Sequence, residues 1–185
     1  KANQETGSKC LYFPCINTKF ENIKEQAMYA KNNGASGLLI IPGLLGFDAM
    51  RALADDDEIA LPIMAHPSFI GSFVNGKNFG ISTFAFFGQM GRLAGADSTV
   101  FANFGGRFSY SKQECIDIVD GCNEPMGDVK PIFPVAGGGL TFQLLPELLK
   151  VYSRDVVFLM GGGLHRESPD LVANCRKFRD LVEKI

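Results

Sequence analysis

Two glycine triplets, Gly137-Gly138-Gly139 and Gly161-Gly162-Gly163, each follow a short apolar run, IFPVA at 132–136 and VVFLM at 156–160. A glycine lets backbone N–H groups line a concavity and approach an anion that a side chain would keep away. The chemistry this pattern suggests is the cradling of a phosphate by Gly138, Gly139, Gly161, Gly162 and Gly163. His66 closes a third apolar run, LPIMAH. An imidazole there could move a proton or hydrogen-bond an enolate. Arg107 follows FANFGG, where a guanidinium could reach a phosphate or a substrate carboxylate. His165 and Arg166 come directly after the second triplet and fit either a phosphate contact or a structural loop. Cys15 ends another apolar run and reads as a small buried thiol or a pocket residue. The run Asp55-Asp56-Asp57-Glu58 has the composition of a metal site, but it lies between a helical segment and the start of a strand, so a solvated turn is expected.

The elements that must position these residues alternate. Strand-like runs occupy 11–15, 37–41, 61–65, 98–102, 132–136 and 156–160, each nearly continuous apolar, as in strands buried on both faces. Amphipathic segments lie between them. Thr18 with Glu21 forms a capping box before a helix carrying Phe20, Ile23 and Ala27 and ended by Gly34; Ser111 with Glu114 repeats the device. Phe84, Phe87 and Ala94 recur at helical spacing as core. The last helix opens with Ser168 as cap and Pro169 at its first position, and is expected to bury Leu171, Cys175, Phe178 and Val182. Strand-helix alternation with short connections gives right-handed βαβ units and a parallel sheet. Six units are visible. A closed (β/α)8 barrel needs about 250 residues, so the pattern reads as the third to eighth units of a TIM barrel, with two strands absent from the front. In such barrels active-site residues sit at the C-terminal strand ends, and a phosphate site often forms from the loops after strands seven and eight. Both triplets fall there. A doubly wound sheet would instead announce a Gly-rich turn after its first strand, and LYFPCINT has none.

At 185 residues, with 46% hydrophobic and 21% charged residues, the chain suits one compact domain. A formal charge of −2 and scattered Lys and Arg argue against nucleic acid as a partner. Five cysteines, odd in number and without C-x-x-C spacing, suggest neither disulfides nor zinc but a reducing cytosol. No apolar run approaches the roughly 20 residues of a membrane span.

LPIMAHPSF, GISTFAFFGQMGRLAGAD, IFPVAGGGLTFQLLPELL and VVFLMGGG together resemble the C-terminal barrel of the RuBisCO large-chain superfamily, from about Leu11 to the end. The similarity is to the RuBisCO-like proteins. ADDDEIALPIMAHP resembles the methionine-salvage 2,3-diketo-5-methylthiopentyl-1-phosphate enolase, while GGGLTFQLLPELL and GGGLHRESPDLV are similar to RuBisCO-like proteins of sugar-acid breakdown. The resemblance implies phosphate contacts at Gly139, Gly161 and Gly162. It implies no second phosphate site, because Pro67, Val100 and Gly137 stand where the carboxylases carry Arg, His and Ser, and Arg107 stands for their mobile-loop lysine. A monophosphate substrate follows, and efficient CO2 fixation does not.

The resemblance further implies Mg2+ held by a carbamylated lysine with an Asp and a Glu. Those ligands, like an N-terminal domain, are expected upstream of Lys1, so that residues 1–185 alone would be inactive. It also implies a cytoplasmic homodimer. The expected activity of the full-length parent is enolisation of a phosphorylated keto compound, with His66 stabilising the enolate and Arg107 as a second catalytic candidate. A substrate carboxylate would favour Arg107; a methylthio tail would favour Phe101, Phe104 and Phe108. The rival expectations are a non-catalytic phosphate-binding relative and, less well matched by motif order, a flavin mononucleotide barrel.

Overall fold

The computed structural model describes residues 4–5, 7, 9–74, 76, 79–106, 108, 110–184. A 3-10 turn at Phe20–Asn22 leads into α1 (Ile23–Asn32). Then follow β1 (Leu38–Ile40), α2 (Pro42–Leu45), α3 (Phe47–Ala54), β2 (Ile63–Ala65), α4 (Gly71–Val74), a π-helix (Phe84–Met90), α5 (Gly91–Leu93) and β3 (Ser98–Ala102). The rest is α6 (Lys112–Asn123), β4 (Phe133–Gly137), α7 (Leu145–Tyr152), β5 (Val157–Leu159), α8 (Gly162–Glu167) and α9 (Leu171–Glu183).

The five strands are parallel and lie side by side in chain order, β1-β2-β3-β4-β5. A doubly wound sheet reverses its order at a switch point; a barrel does not. This sheet is therefore the arc of a barrel. In-register partners show which face carries the helices: Phe101, Ala136 and Phe158 form one row, and the Phe101 ring meets Tyr152 of α7 edge-on at 5.6 Å. The next row, Ala102, Gly137 and Leu159, belongs to the opposite face, the inside of the arc. Along β5 that inner face is partly open, with Val157 40% and Leu159 49% exposed. The core fills the space between sheet and helices, where Leu38, Ile40, Ile63 and Ala136 pack with Met50, Ile118, Leu145 and Leu148.

The expected strand at 11–15 is reduced to one parallel bridge, Cys15 with Leu39. Leu39 N–H donates to Pro14 O and Ile16 N–H to Leu39 O, at 2.9 and 3.0 Å. Pro14 has no N–H to offer, so the ladder cannot extend. Cys15 itself is exposed, not buried.

Helix starts are mixed. Ser111 and Glu114 form the expected capping box, Glu114 N–H to Ser111 Oγ at 3.2 Å and Ser111 N–H to Glu114 Oε2 at 2.7 Å. Gly34, at φ +87°, does end α1. The Thr18–Glu21 box does not form: the chain enters through the 3-10 turn, Lys19 caps it without a side-chain bond, and Phe20 is 64% exposed.

α9 is capped by Asp170, whose side chain accepts from Ala173 N–H, rather than by Ser168. Ser168 Oγ instead donates to Asn174 Oδ1 at 2.6 Å, and Asn174 Nδ2 donates to Leu164 O and Ser168 O. This polar lock rotates the helix, so Asn174 is buried while Leu171, Cys175 and Val182 face outward; Phe178 stays partly buried against Phe142. The segment 84–90 is a π-helix rather than an α-helix, and Phe84 is only half-buried, although Phe87 and Ala94 are core. It packs on α6 at backbone contact: a Cβ on Gly88 would lie 2.3 Å from the Gly121 carbonyl carbon.

Candidate functional site

The C-terminal ends of β2, β4 and β5 carry His66 and the two glycine triplets. The first triplet leaves β4 with Gly138 and Gly139 at φ +79° and +88°, a left-handed pair that any other residue would strain. The second begins α8: Gly161 precedes the helix and Gly162 and Gly163 form its first turn, whose N–H groups have no partner within the helix. The two loops touch. A Cβ on Gly163 would stand 2.2 Å from Leu140 O, so only glycine lets α8 start this close to the β4 loop. At Gly161 an added Cβ would meet nothing within 4 Å.

The loop after β3 closes on the same place. A Cβ on Gly106 would be 2.2 Å from Gly138 O, and one on Gly138 would be 3.2 Å from the Phe108 ring. Arg107, expected to be catalytic, lies outside the described residues. Of the three phenylalanines proposed for an apolar pocket, Phe108 alone sits against the glycine loop. Phe101 is fully buried on the helix side, and Phe104 packs on Tyr152 at 6.1 Å with the Lys112 ammonium over its ring. Neither lines the inside of the arc; strand alternation, which fixes Phe101 outward, was the missed signal.

His66 continues β2 by one ladder bond, its N–H donating to Ile40 O at 2.7 Å. It lines a small recess with Pro42, Phe47, Ala65, Ile70 and Phe86, and no glycine of either triplet lines that recess. β3 separates β2 from β4, so His66 stands two strand spacings, about 10 Å, from the first triplet. The residues share one rim rather than one pocket. Burial lowers the His66 pKa from its ordinary 6.5. Its Nδ1 accepts from Ser68 N–H at 3.3 Å and lies 3.0 Å from Ser68 Oγ. A ring nitrogen that accepts a backbone N–H carries no proton, so the neutral ring bears its hydrogen on Nε2.

This shift has a testable consequence for stability. Between the lowered native value and 6.5 the unfolded chain binds more protons, so the folded state gains stability as pH rises through that window and loses it on acidification. His66→Gln, which cannot titrate, is expected to flatten this part of a plot of urea midpoint against pH. Parallel slopes for the two proteins would show that His66 keeps its ordinary pKa.

His165 and Arg166 are exposed on α8; the Arg166 guanidinium folds back so that Nη1 would be 3.2 Å from a Cβ on Gly162. The acidic run is a turn between α3 and β2, and its carboxylates serve Lys24, which pairs with Asp56 and Glu58 at 2.7 Å each, and Arg51, which pairs with Asp55. Among the described residues there is no group of three or more His, Cys, Asp or Glu placed to hold a metal ion. These residues therefore do not supply a Mg2+ ligand set. No described helix is long and apolar enough to cross a membrane.

Residues that type and spacing did not reveal are those holding the rim together. Asn103, fully buried, donates its N–H to Gly137 O at 2.7 Å and its Nδ2 to Phe104 O at 2.6 Å, while Tyr152 OH donates to its Oδ1 at 2.6 Å. An isolated Asn after a strand and a Tyr at a helix end carry no sequence signal of their own.

Comparison with known proteins adds what geometry cannot. Residues 1–180 match the family described as ribulose bisphosphate carboxylase large chain, catalytic domain. A ribulose bisphosphate carboxylase-like protein of Archaeoglobus fulgidus is 31% identical over 99% of this chain and 42% of its own length. The 2,3-diketo-5-methylthiopentyl-1-phosphate enolase of Bacillus licheniformis is 32% identical over 100% of this chain and 45% of its own. Among solved structures, a Rubisco-like protein from Rhodopseudomonas palustris superposes with a TM-score of 0.84 at 30% identity, covering 98% of this chain and 47% of that one. The octameric Rubisco of Pyrococcus horikoshii gives 0.89 at 25%, covering 98% and 43%. This chain thus spans under half the length of these relatives. With a family model matched over nearly its whole length and five parallel strands in chain order, the chain belongs to the RuBisCO large-chain catalytic-domain family as part of a RuBisCO-like TIM barrel.

Proposed function

We propose that the full-length protein carrying this chain is a RuBisCO-like enzyme that enolises a phosphorylated keto compound, either a diketo methylthiopentyl phosphate or a phosphorylated oxo sugar acid. The observation that carries this reading is the mutual packing of the two glycine loops, Gly163 on Leu140 O, at the ends of adjacent strands. A short helix starting at the last strand is a recurrent phosphate site of such barrels. Gly138, Gly139, Gly161, Gly162 and Gly163 would fix the phosphate, and that remote binding energy would hold the reacting carbons in place. The name of the Bacillus licheniformis relative, an enolase of a 1-phosphate, supports a phosphorylated substrate.

His66 would act through Nε2–H. A neutral imidazole in an apolar recess donates a hydrogen bond to a developing enolate oxygen without first neutralising it. Its lowered pKa suits a donor that stays neutral at neutral pH and is unsuited to holding a proton for acid catalysis. Arg107 would meet a substrate carboxylate and Phe108 an apolar tail. Magnesium belongs to this proposal through the family resemblance alone, and would polarise the substrate carbonyl. Cytoplasmic location and assembly as a homodimer belong to the same proposal.

The test supplies the full-length protein with Mg2+, bicarbonate and each substrate in turn, with products followed by NMR. The enol from 2,3-diketo-5-methylthiopentyl 1-phosphate is the expected product; CO2 release from the sugar acid would instead assign the decarboxylase. No turnover of either, with inorganic phosphate still raising the melting temperature, would leave a phosphate-binding relative without this chemistry.

A further inference from the structure

Around the proposed phosphate loops, one buried polar node joins parts of the molecule that chemistry would need to hold in register. Asn103 is the first residue after β3 and is 0% exposed; Tyr152, the last residue of α7, is 1% exposed. The backbone N–H of Asn103 and both polar atoms of its side chain are bonded inside the protein. Its backbone N–H reaches the carbonyl of Gly137, the residue before Gly138 and Gly139. Its Nδ2 holds Phe104 O, the start of the loop that carries Arg107, and its Oδ1 receives the Tyr152 hydroxyl. Tyr152 in turn packs edge-on against Phe101 and Phe104, and the buried Cys115 thiol donates at 3.5 Å to the carbonyl of Ala102, the residue before Asn103. Beyond the node, Gly106 rests on Gly138 O, a second contact between the two loops.

A hydrogen-bonded side chain in a dry site tolerates few alternative geometries, because each lost partner leaves a buried polar atom unpaired. We infer that Asn103, held by Tyr152, is a positioning residue that couples the 103–108 loop to the 137–140 loop, fixing the distance between the substrate's phosphate and whatever the first loop presents. This rests on the proposed reading of the glycine loops as the phosphate site, and extends it to the residue that keeps the site's two walls together. The Tyr152 hydroxyl touches no reacting atom; it acts through Asn103.

Tyr152→Phe removes one oxygen and keeps the ring contacts, so the fold is expected to persist. Hydrogen–deuterium exchange would be followed in the full-length protein, with and without inorganic phosphate. Without phosphate, the variant is expected to exchange about tenfold faster or more in both 103–108 and 137–140, with α3 unchanged. With phosphate, the unaltered protein should slow exchange in both loops, whereas the variant should slow it in 137–140 only, at similar phosphate affinity; simple loosening would not produce that split. Asn103→Leu should repeat the pattern. Faster exchange in 103–108 alone, or in neither loop, would overturn the coupling. If phosphate slows 137–140 in neither protein, the phosphate reading fails, and the phosphate-free comparison still decides whether the loops are coupled.

Discussion

Gly163→Ala is expected to destabilise the protein and to weaken phosphate binding together, while Gly161→Ala weakens binding alone. The two glycines are two residues apart in one loop and differ in what a methyl group would meet. At position 163 it would stand 2.2 Å from Leu140 O and 3.1 Å from Met160 Cγ, and neither a backbone carbonyl nor the strand end behind it can withdraw cheaply. α8 would have to lift off the β4 loop, at a cost of about 1–3 kcal/mol in urea unfolding. The same movement separates the two triplets, so inorganic phosphate should bind at least about tenfold more weakly, as one lost charge-assisted hydrogen bond already costs that much. At position 161 nothing lies within 4 Å and the backbone, at φ −99°, suits alanine. Stability should stay within about 0.5 kcal/mol, as for surface substitutions generally. The methyl group would intrude only on a ligand. Unaltered phosphate affinity in Gly161→Ala would remove Gly161 from the site, and an unaltered unfolding midpoint in Gly163→Ala would show that the loops are not packed as described.

That contrast also marks how far the sequence could be read. The glycine triplets were legible as strand-end loops because each directly follows an apolar run. The Ser111–Glu114 box was legible because both partners of its bonds lie within one turn. Thr18 and Glu21 have the same spacing but fail, since capping also needs the chain to enter an α-helix there, and it enters a 3-10 turn. Apolar periodicity points to the wrong buried stripe on α9, because Asn174, bonded to Leu164 O and Ser168 O, fixes which side turns inward. Composition alone suits Phe101 to an apolar pocket, but strand parity turns it to the helix side. His66 was found as a strand-end residue, yet the Ser68 bond that sets its tautomer depends on a turn no motif announces. Across these cases, interactions within one regular helical turn could be read directly, and those that depend on irregular turns or on contacts between elements could not.

Arg92 is the clearest instance of the second kind, and Arg92→Met is expected to lower stability by about 2–4 kcal/mol, or the Tm by roughly 5–15 °C. Arg92 is 4% exposed, and the four acceptors its guanidinium serves are main-chain carbonyls: Nε to Lys130 O, Nη1 to Gly121 O and Glu124 O, and Nη2 to Val129 O, between 2.6 and 3.2 Å. Two of those carbonyls belong to the C-terminal end of α6, which lacks intrahelical donors and carries the negative end of the helix dipole. The other two belong to the turn that leads into β4. One side chain therefore ties α5 to the end of α6 and to the approach of the strand that carries the first glycine loop. Methionine fills much of the volume and leaves those carbonyls to find water in a closed space. Lysine should recover less than half of the loss, because three donors on a single ammonium cannot match a planar fork that faces four carbonyls in different directions. Inorganic phosphate should still bind Arg92→Met well below its melting temperature, since the glycine loops keep their own contacts. If Arg92→Met instead unfolds at the unaltered midpoint, the cost of burying the cation must equal the value of its four bonds. The join between α6 and β4 would then rest on the close approach of Gly88 to Gly121.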